Sequence, residues 1–466
     1  MKLPLFGIGM QGATPVITAK RMQNFYIEQR PQGEKTQVVA LGVPGLDLFA
    51  TFSDRIRGML PIEQNNLLYV VTGGTFWQID ASGVKTSRGS LLTTTGNVML
   101  AHNGTQVMVV DGTYGYIYNS STLAFAQITD VDFPASPQSV TFQDGYFTIG
   151  LDDGKFYISA PYNGLAWDAL DFATAESDPD RLVRVFADHG ELILFGDIST
   201  EFHTNIGATD FPYARVQGAN AEWGLAARYS AVKFDDSVAF LCKNRMGQVL
   251  VGKLKGHAFE KLSTPDIDKT LNAYATHADA TAFSYLLGGH AMYQINFPAE
   301  GESWLFDGLT GHWSNVKSQN ITRQRCEWGV QFITRTILAD YSNGNLYTLN
   351  NDTFTENGEM IEGEIIGEHW DSELMRINID RIRIDMETGV GEVSGQGENP
   401  HIMLSLSRDG GKTWGVERWR PLGRQGEYTG RVDWRRNGQF TRATAKIRIT
   451  DPVRRIILGA YVNPQD

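Results

Sequence analysis

Cysteine is almost missing from this chain of 466 residues. Cys242 and Cys326 are the only two, too few for a disulfide framework at this size. Each reads as a small buried hydrophobe rather than a ligand or nucleophile. Long apolar runs are missing too, since nothing approaches the ~18 residues of a membrane-spanning helix. The opening "MKLPLFGIGMQGATP" has one Lys and a short apolar patch broken by Pro and Gly, which argues against a cleaved signal peptide. The chain is therefore expected to work where it is made, or in an assembly built there. The nine His residues form no H-x-x-x-H pair suited to zinc, and no P-loop, G-x-S-x-G elbow or Cys/His couple occurs. No cofactor, metal or catalytic set is expected, and the chain is not read as an enzyme. Helical periodicity is scarce. "DIDKTLNAYATHA" (Asp266 to Ala278), with Asp266 as its cap, is the one stretch predicted to be helical.

What is abundant is glycine, with 49 residues against a usual share of roughly 7%. With 11% aromatics and many Thr and Val, it points to short strands joined by tight turns. The 42% hydrophobic and 20% charged fractions are those of a folded, soluble protein, and the length predicts two or three structural units.

Repetition organises the middle of the chain. A short apolar strand, a turn rich in Gly, Asp or Asn, and an aromatic-containing strand recur. The units start at Asn65 ("NNLLYVVTGGTFWQID"), Gly104, Gln143, His189, Asp235, Thr281 and Thr334. Their first strands, aligned at Leu67, Val107, Tyr146, Leu192, Val238, Phe283 and Ile337, are spaced by 40, 39, 46, 46, 45 and 54 residues. A hairpin every ~40–45 residues is the period of a β-propeller. Each hairpin is expected to be the middle of a blade, and "SWLFDGLTGHWSN" (Ser303 to Asn315) an outer hairpin. A pair of β-sandwiches would also show closely spaced strands, but without so steady a period. From about Gly358 the pattern becomes strict alternation, as in "MRINIDRIRIDM" (Met375 to Met386) and "ATAKIRIT" (Ala443 to Thr450), the mark of half-exposed antiparallel strands. The expected fold is all-β: an N-terminal arm and platform segment (1–58), a propeller of six or seven blades (59–357) and a β-sandwich-like C-terminal domain (358–466).

Net charge is −12, yet from His401 onward 13 Lys/Arg face 6 Asp/Glu, a local +7, which leaves −19 on the first 400 residues. Nonspecific nucleic-acid binding by the whole chain is disfavoured. An acidic body with a basic tail domain predicts charge-guided contact with a partner or with further copies of the chain.

Three motifs invite a chemical reading. Ser407 to Trp414 ("SRDGGKTW") looks like the Asp-box of sialidases. In such a box Ser407, Asp409, Gly411, Thr413 and Trp414 hold a hairpin: the carboxylate accepts backbone N–H bonds, the glycines permit positive φ and the indole packs beneath. A sialidase repeats the box on several blades and needs three arginines, a Tyr nucleophile with its Glu partner and an acidic Asp. Here the box occurs once, outside the repeats, so it reads as structural. "GIGMQG" (Gly7 to Gly12) matches G-x-G-x-x-G, but it lacks the strand before and the helix after that would hold a pyrophosphate. "GLDDGKF" (Gly150 to Phe156) reads as a hairpin turn rather than a cation loop. The stretch from Glu417 to Arg448 interleaves Arg with aromatics. Its candidate protein-contact face is Arg418, Trp419, Arg420, Trp434, Arg435 and Arg436, because Arg and Trp dominate interface hot spots. A lining near nucleic acid or a plain solvated strand face are the other readings.

Several stretches together resemble the tail hub, or nozzle, proteins of short-tailed phages, also called packaged-DNA stabilisation proteins. They are Asn24 to Glu28 and Pro44-Gly45-Leu46 in the arm, Ser177 to Ser230, Met292 to Trp313, and the C-terminal "SRDGGKTWG". "TEFHTN" departs from the pattern, with His203 where an aromatic, usually Trp, is expected. The resemblance implies a structural virion protein of the phage tail, made in the host cytoplasm. It implies a homohexamer ringing the tail axis below the head-to-tail connector, in contact with that connector, with tail fibres or tailspikes and with a tip plug or needle. Double-stranded DNA would pass along the ring without sequence-specific binding, and Asn24, Phe25 and Tyr26 would be arm contacts to a neighbour. A carbohydrate-binding or cell-surface propeller, and less so a sialidase-like glycosidase, are the alternatives.

Overall fold

The computed structural model describes residues 2–3, 5, 20–30, 38–175, 180–371 and 375–463; the Gly7 to Gly12 motif lies outside them. Five strands precede the first repeat: β1 Lys2–Leu3, β2 Arg21–Gln23, β3 Phe25–Gln29, β4 Val38–Gly42 and β5 Gly45–Phe52. The propeller follows, with seven blades. Their inner strands are Ile56–Ile62, Met99–His102, Ser139–Gln143, Leu182–Asp188, Val232–Phe234, Thr281–Leu287 and Cys326–Phe332. In the fifth blade the inner strand is interrupted, and Gly224–Leu225 and Val232–Phe234 both pair with Ser237–Lys243.

Second strands read as continuous apolar runs because blades pack against them on both faces. Leu68 to Val71, Val107 to Val110, Leu192 to Phe195 and Val238 to Cys242 are all buried. Outer strands such as Lys85–Ser90 are largely exposed and polar. The sixth sequence hairpin is one strand out of step. Thr281–Leu287 and His290–Phe297 are the first and second strands of their blade, not the second and third. Both carry the same apolar–turn–aromatic signature, so the pattern did not distinguish them. The Ser303 to Asn315 hairpin is the outer pair, Glu302–Asp307 with β6 Trp313–Asn315.

A helix, α1 Pro265–Ala273, separates the fifth and sixth blades. It ends five residues earlier than the sequence pattern suggested, and its cap is Thr264, not Asp266. The Thr264 side chain accepts from the Ile267 N–H and Pro265 occupies the first turn, where a missing N–H costs nothing. Ile267 and Leu271 anchor it on the core shared by these blades. Among the described residues no helix is long and apolar enough to cross a membrane.

The ring closes on itself through the N-terminal segment. The third strand of the last blade, β7 Gly344–Asn350, has as its outer neighbour β5, paired antiparallel from Gly344 opposite Phe52 to Asn350 opposite Gly45. Gly45 is required there, since a Cβ would lie 2.4 Å from the Thr355 carbonyl oxygen. Strand β5 thus serves the propeller although it lies in the segment read as arm and platform.

The C-terminal unit comprises β8 Gly363–Ile366, β9 Ile377–Met386, β10 His401–Ser407, β11 Arg418–Pro421, β12 Val432–Phe440, β13 Arg442–Ile449 and β14 Ile456–Val462, with a short pair at Trp370–Asp371. One of its sheets runs β3-β4-β14-β9-β12; the other runs β8-β13-β10-β11. Trp434, Ile382, Ile402, Ile447 and Val453 fill the space between them. Strand β2 joins this second sheet to the propeller. It pairs parallel with β6 of the sixth blade and antiparallel with β8, so blade and sandwich share one ten-stranded sheet.

Asn24 secures the junction. In the left-handed region at φ 57°, its Nδ2 donates to the carbonyls of Lys317 and Glu362 at 2.8 Å each, and its Oδ1 accepts the Lys317 N–H at 2.9 Å. Its own carbonyl accepts from Val43. Replacing Asn24 with Ala would leave three backbone groups unpartnered in a buried junction. The expected loss is about 3 kcal/mol or more, at 1–3 kcal/mol per unsatisfied group; equilibrium urea denaturation would measure it.

Candidate assembly interface

Strand alternation and sheet topology gather the basic tail of the chain onto two neighbouring edges. Strand β11 ends one sheet and β12 ends the other. Arginines tie the edges together: Arg418 Nη2 donates to Asn437 Oδ1 at 2.5 Å, and Arg420 Nε to the Asp433 carbonyl at 2.7 Å. Burial, and then the like charge of Arg420, lower the pKa of Arg418. Asp433 takes a bidentate pair from Arg383, at 2.7 and 2.8 Å, and those bonds hold its carboxyl below the usual range. Arg435 and Arg436 are exposed, the latter at φ 58°, and the Trp419 ring is 58% exposed.

Trp434 does not belong to this face. It is fully buried, and its indole N–H donates to the Arg418 carbonyl at 2.8 Å. Along β12 alternate residues point inward, and Trp434 falls on the inward phase with Val432. It anchors the face from below.

The Asp-box hairpin connects β10 to β11 at one end of the same edge. The Ser407 hydroxyl donates to Asp409 Oδ1 at 2.7 Å and accepts the Gly411 N–H at 2.8 Å. Asp409 Oδ1 accepts the N–H groups of Lys412 and Thr413 at 3.0 and 2.9 Å, and its Oδ2 accepts the Thr413 hydroxyl at 2.6 Å. The Thr413 bonds above all hold the Asp409 carboxyl far below its ordinary pKa. Gly410 and Gly411 take φ of 78° and 88°, and Trp414 lies under the Lys446 ammonium at 4.7 Å. The Ser407, Asp409 and Thr413 side chains are thus spent within the turn. Beside it a groove of about 370 Å³ runs past Trp414, Val416, Arg418 and Phe440, with the Arg408 guanidinium 4.9 Å from the Phe440 ring.

The arm residues point inward as well. Asn24 and Phe25 are each 1% exposed, and Phe25 lies 5.6 Å beneath the guanidinium of Arg455. Tyr26 meets His290 edge-on at 5.7 Å, and burial first of all pushes its phenol up to about 12. Expected as contacts to a neighbour, these three instead bind the chain's own propeller and sandwich, because β2 is paired on both sides and β3 joins the sandwich sheet through β4. His203 is also inside: Nε2 is 3.2 Å from Glu201 and the ring stands edge-on to Phe156 at 5.4 Å. It thus packs as a core aromatic would. Asp153 accepts the Lys155 N–H within a turn and Asp152 pairs with Arg228 at 2.6 Å. Both cysteines are buried and unpaired, their thiols pushed up by burial.

Sequence reasoning missed Arg455. It is buried, donates to the carbonyls of Ile361 and Val43, and burial lowers its pKa to about 10. Only its place next to an apolar strand in a conspicuously basic run could have singled it out.

Two family models match the chain: "Bacteriophage P22 Gp10, beta-propeller" over residues 1–354 and "Bacteriophage P22 Gp10, beta-sandwich" over residues 363–465. No curated protein matches it. Similar solved structures include the extracellular domain of the putative hybrid two component system BT4673 from B. thetaiotaomicron (7% identity, TM-score 0.45, 73% of this chain and 43% of that one). The Neurospora crassa Pan2 WD40 domain is similar at 10% identity and TM-score 0.45, over 66% of this chain and 96% of that one. YCF48 bound to D1 peptide is similar at 11% identity and TM-score 0.42, over 67% and 98%. The chain spans less than half the length of the first of these.

Asp409→Ala should open the hairpin without unfolding the sandwich. Hydrogen exchange at the Lys412 and Thr413 amides is expected to rise at least about tenfold, as for a turn that has lost its acceptor, with exchange in the propeller unchanged. Because the pKa of Asp409 is depressed, its contribution is present above the ordinary carboxylate value and should be lost only as pH falls through the lowered one.

Proposed function

The chain belongs to the bacteriophage P22 Gp10 family of phage tail proteins, and on that premise we propose that it is the tail hub, or nozzle, subunit of a short-tailed phage. Six copies ring the tail axis beneath the head-to-tail connector, extend the DNA channel and help retain the packaged genome. They also offer attachment to fibres or tailspikes and to a tip plug or needle. The charge division along the chain carries this reading: −19 on the first 400 residues against +7 from His401 to the end, with the basic stretch joined to the propeller through one continuous sheet. An acidic wall repels phosphates, so duplex DNA slides along it rather than sticking. The exposed part of the arginine edge, Trp419, Arg435 and Arg436, with the half-buried Arg420 beside it, faces a neighbouring subunit or the connector, where complementary charge sets encounter and register.

Serum raised against the chain should label phage particles at the tail vertex alone, as seen by electron microscopy; unlabelled particles would count against the tail role. Charge reversal at Arg435 and Arg436 together, both exposed, should leave stability within about 0.5 kcal/mol. It should lower incorporation into particles by about tenfold or more, if each pair lost at the rim costs as such contacts usually do. Normal incorporation would remove the arginine edge from the interface.

A further inference from the structure

The propeller axis has no part in the role just proposed, yet it contains a cavity of about 450 Å³, within the range of small-molecule sites. Its walls come from inner strands and are mostly apolar: Met59, Leu100, Val232, Trp328 and Val330. Arg184 lies on the inner strand of the fourth blade, four residues before the turn at Asp188. At ~3.3 Å per strand residue it sits roughly 13 Å deeper than that turn.

Among the described residues no carboxylate compensates the charge of Arg184. Nη1 is fixed by donating to the carbonyls of Arg228 at 3.0 Å and Ala231 at 2.7 Å. Nε is enclosed and has no hydrogen-bond partner. The guanidinium lies 5.0 Å over the Phe186 ring, and among the described residues no carboxylate pairs with it. Beside it stands Tyr229, edge-on to Trp328 at 5.4 Å. Burial raises the Tyr229 phenol, while Arg228, Arg184 and Arg57 oppose that rise. Of these three cations Arg228 has Asp152 at 2.6 Å. Arg57 spends its donors on carbonyls of Gly73, Thr93, Thr95 and Gly96 and on the Thr93 hydroxyl. Toward the mouth, Lys233 is taken by Asp188, and Glu63 lies at the start of a surface turn. A chain with net charge −12 therefore keeps one cation, Arg184, without a carboxylate partner among the described residues at the inner end of an apolar shaft. Desolvating such groups is expensive unless an opposite charge joins them.

We propose that the propeller axis is a binding site for a small organic anion: a carboxylate carried on an apolar body. The carboxylate meets the guanidinium of Arg184 and the Tyr229 hydroxyl. The apolar part lies against Met59, Leu100 and Trp328. Carbonyls already fix the guanidinium, so little ordering remains to oppose binding.

The test is calorimetric titration of the full chain with phenylacetate and with phenylacetamide, its uncharged counterpart of similar shape. Phenylacetate is expected to saturate near one molecule per chain, and the amide to bind at least about tenfold more weakly, a difference of about 1.4 kcal/mol. Arg184→Met should abolish the preference for the acid. Met59→Glu, on a half-exposed wall position that the ring packs against, should weaken both compounds and the acid at least about tenfold more than the amide, by like-charge repulsion. That second variant decides the matter if Arg184→Met fails to fold by circular dichroism. The proposal is overturned if neither compound saturates, if acid and amide bind equally, or if the folded variants keep the acid's full affinity.

Discussion

The pairing of a three-residue strand, β2, between a propeller blade and a sandwich strand is the constraint on which the rest of this molecule depends. Without it the two units would be joined by the segment that leads from the last blade into β8 and by the short link from β4 in the sandwich to β5 in the propeller. With it, the sixth blade and the C-terminal sheet become one surface of hydrogen-bonded strands, and Asn24 and Arg455 fasten that surface from two sides. Both residues answer backbone carbonyls in places where no strand can reach them. The need to pair every buried peptide group selects a forked donor at each spot. The arginine edge on β11 and β12 is thereby held at a fixed attitude to the propeller.

Cations in this chain are put to two different uses. Arg57, Arg184 and Arg455 are interior, each donating to peptide carbonyls without a directly bonded carboxylate. Arginine tolerates this because its charge is delocalised and its donors fan out in a plane. The arginines of the C-terminal edges lie at the rim, half-buried or exposed, where salt and partners can reach them. A residue count of +7 from His401 onward therefore overstates what that stretch presents at the surface, since Arg455 is one of those charges and is sealed within.

Much of the fold was legible in the sequence because blades repeat. An apolar run, a glycine turn and an aromatic strand come back often enough for the period to survive local noise, and alternation in Met375 to Met386 marked the sandwich. Pairing between residues far apart was not legible. Nothing in "GLDLFATF" says that its partner lies at Gly344–Asn350, since a propeller's closing strand resembles any other half-buried strand. The inward phase of Trp434 follows from alternation with Val432, but a bulge between Arg435 and Gly438 breaks that alternation just beyond it, and the letters do not announce the break. The Asp-box was fully legible, since its bonds are local. The arm residues Asn24 and Phe25 were noticed by resemblance, but their inward role depended on strands on either side that only the folded chain brings together.

Ring closure also sets an order of events. Strand β5 emerges early in synthesis, yet the strand that accepts it is completed only about 300 residues later, and closing so long a loop is entropically slow. Until then β5 lacks its strand partner, and Ile56, Leu68 and Val70 of the first blade lack the last-blade residues Phe332, Ile337 and Leu346 that complete their core. The ring therefore cannot seal before its last blade is made, however many earlier blades have already folded.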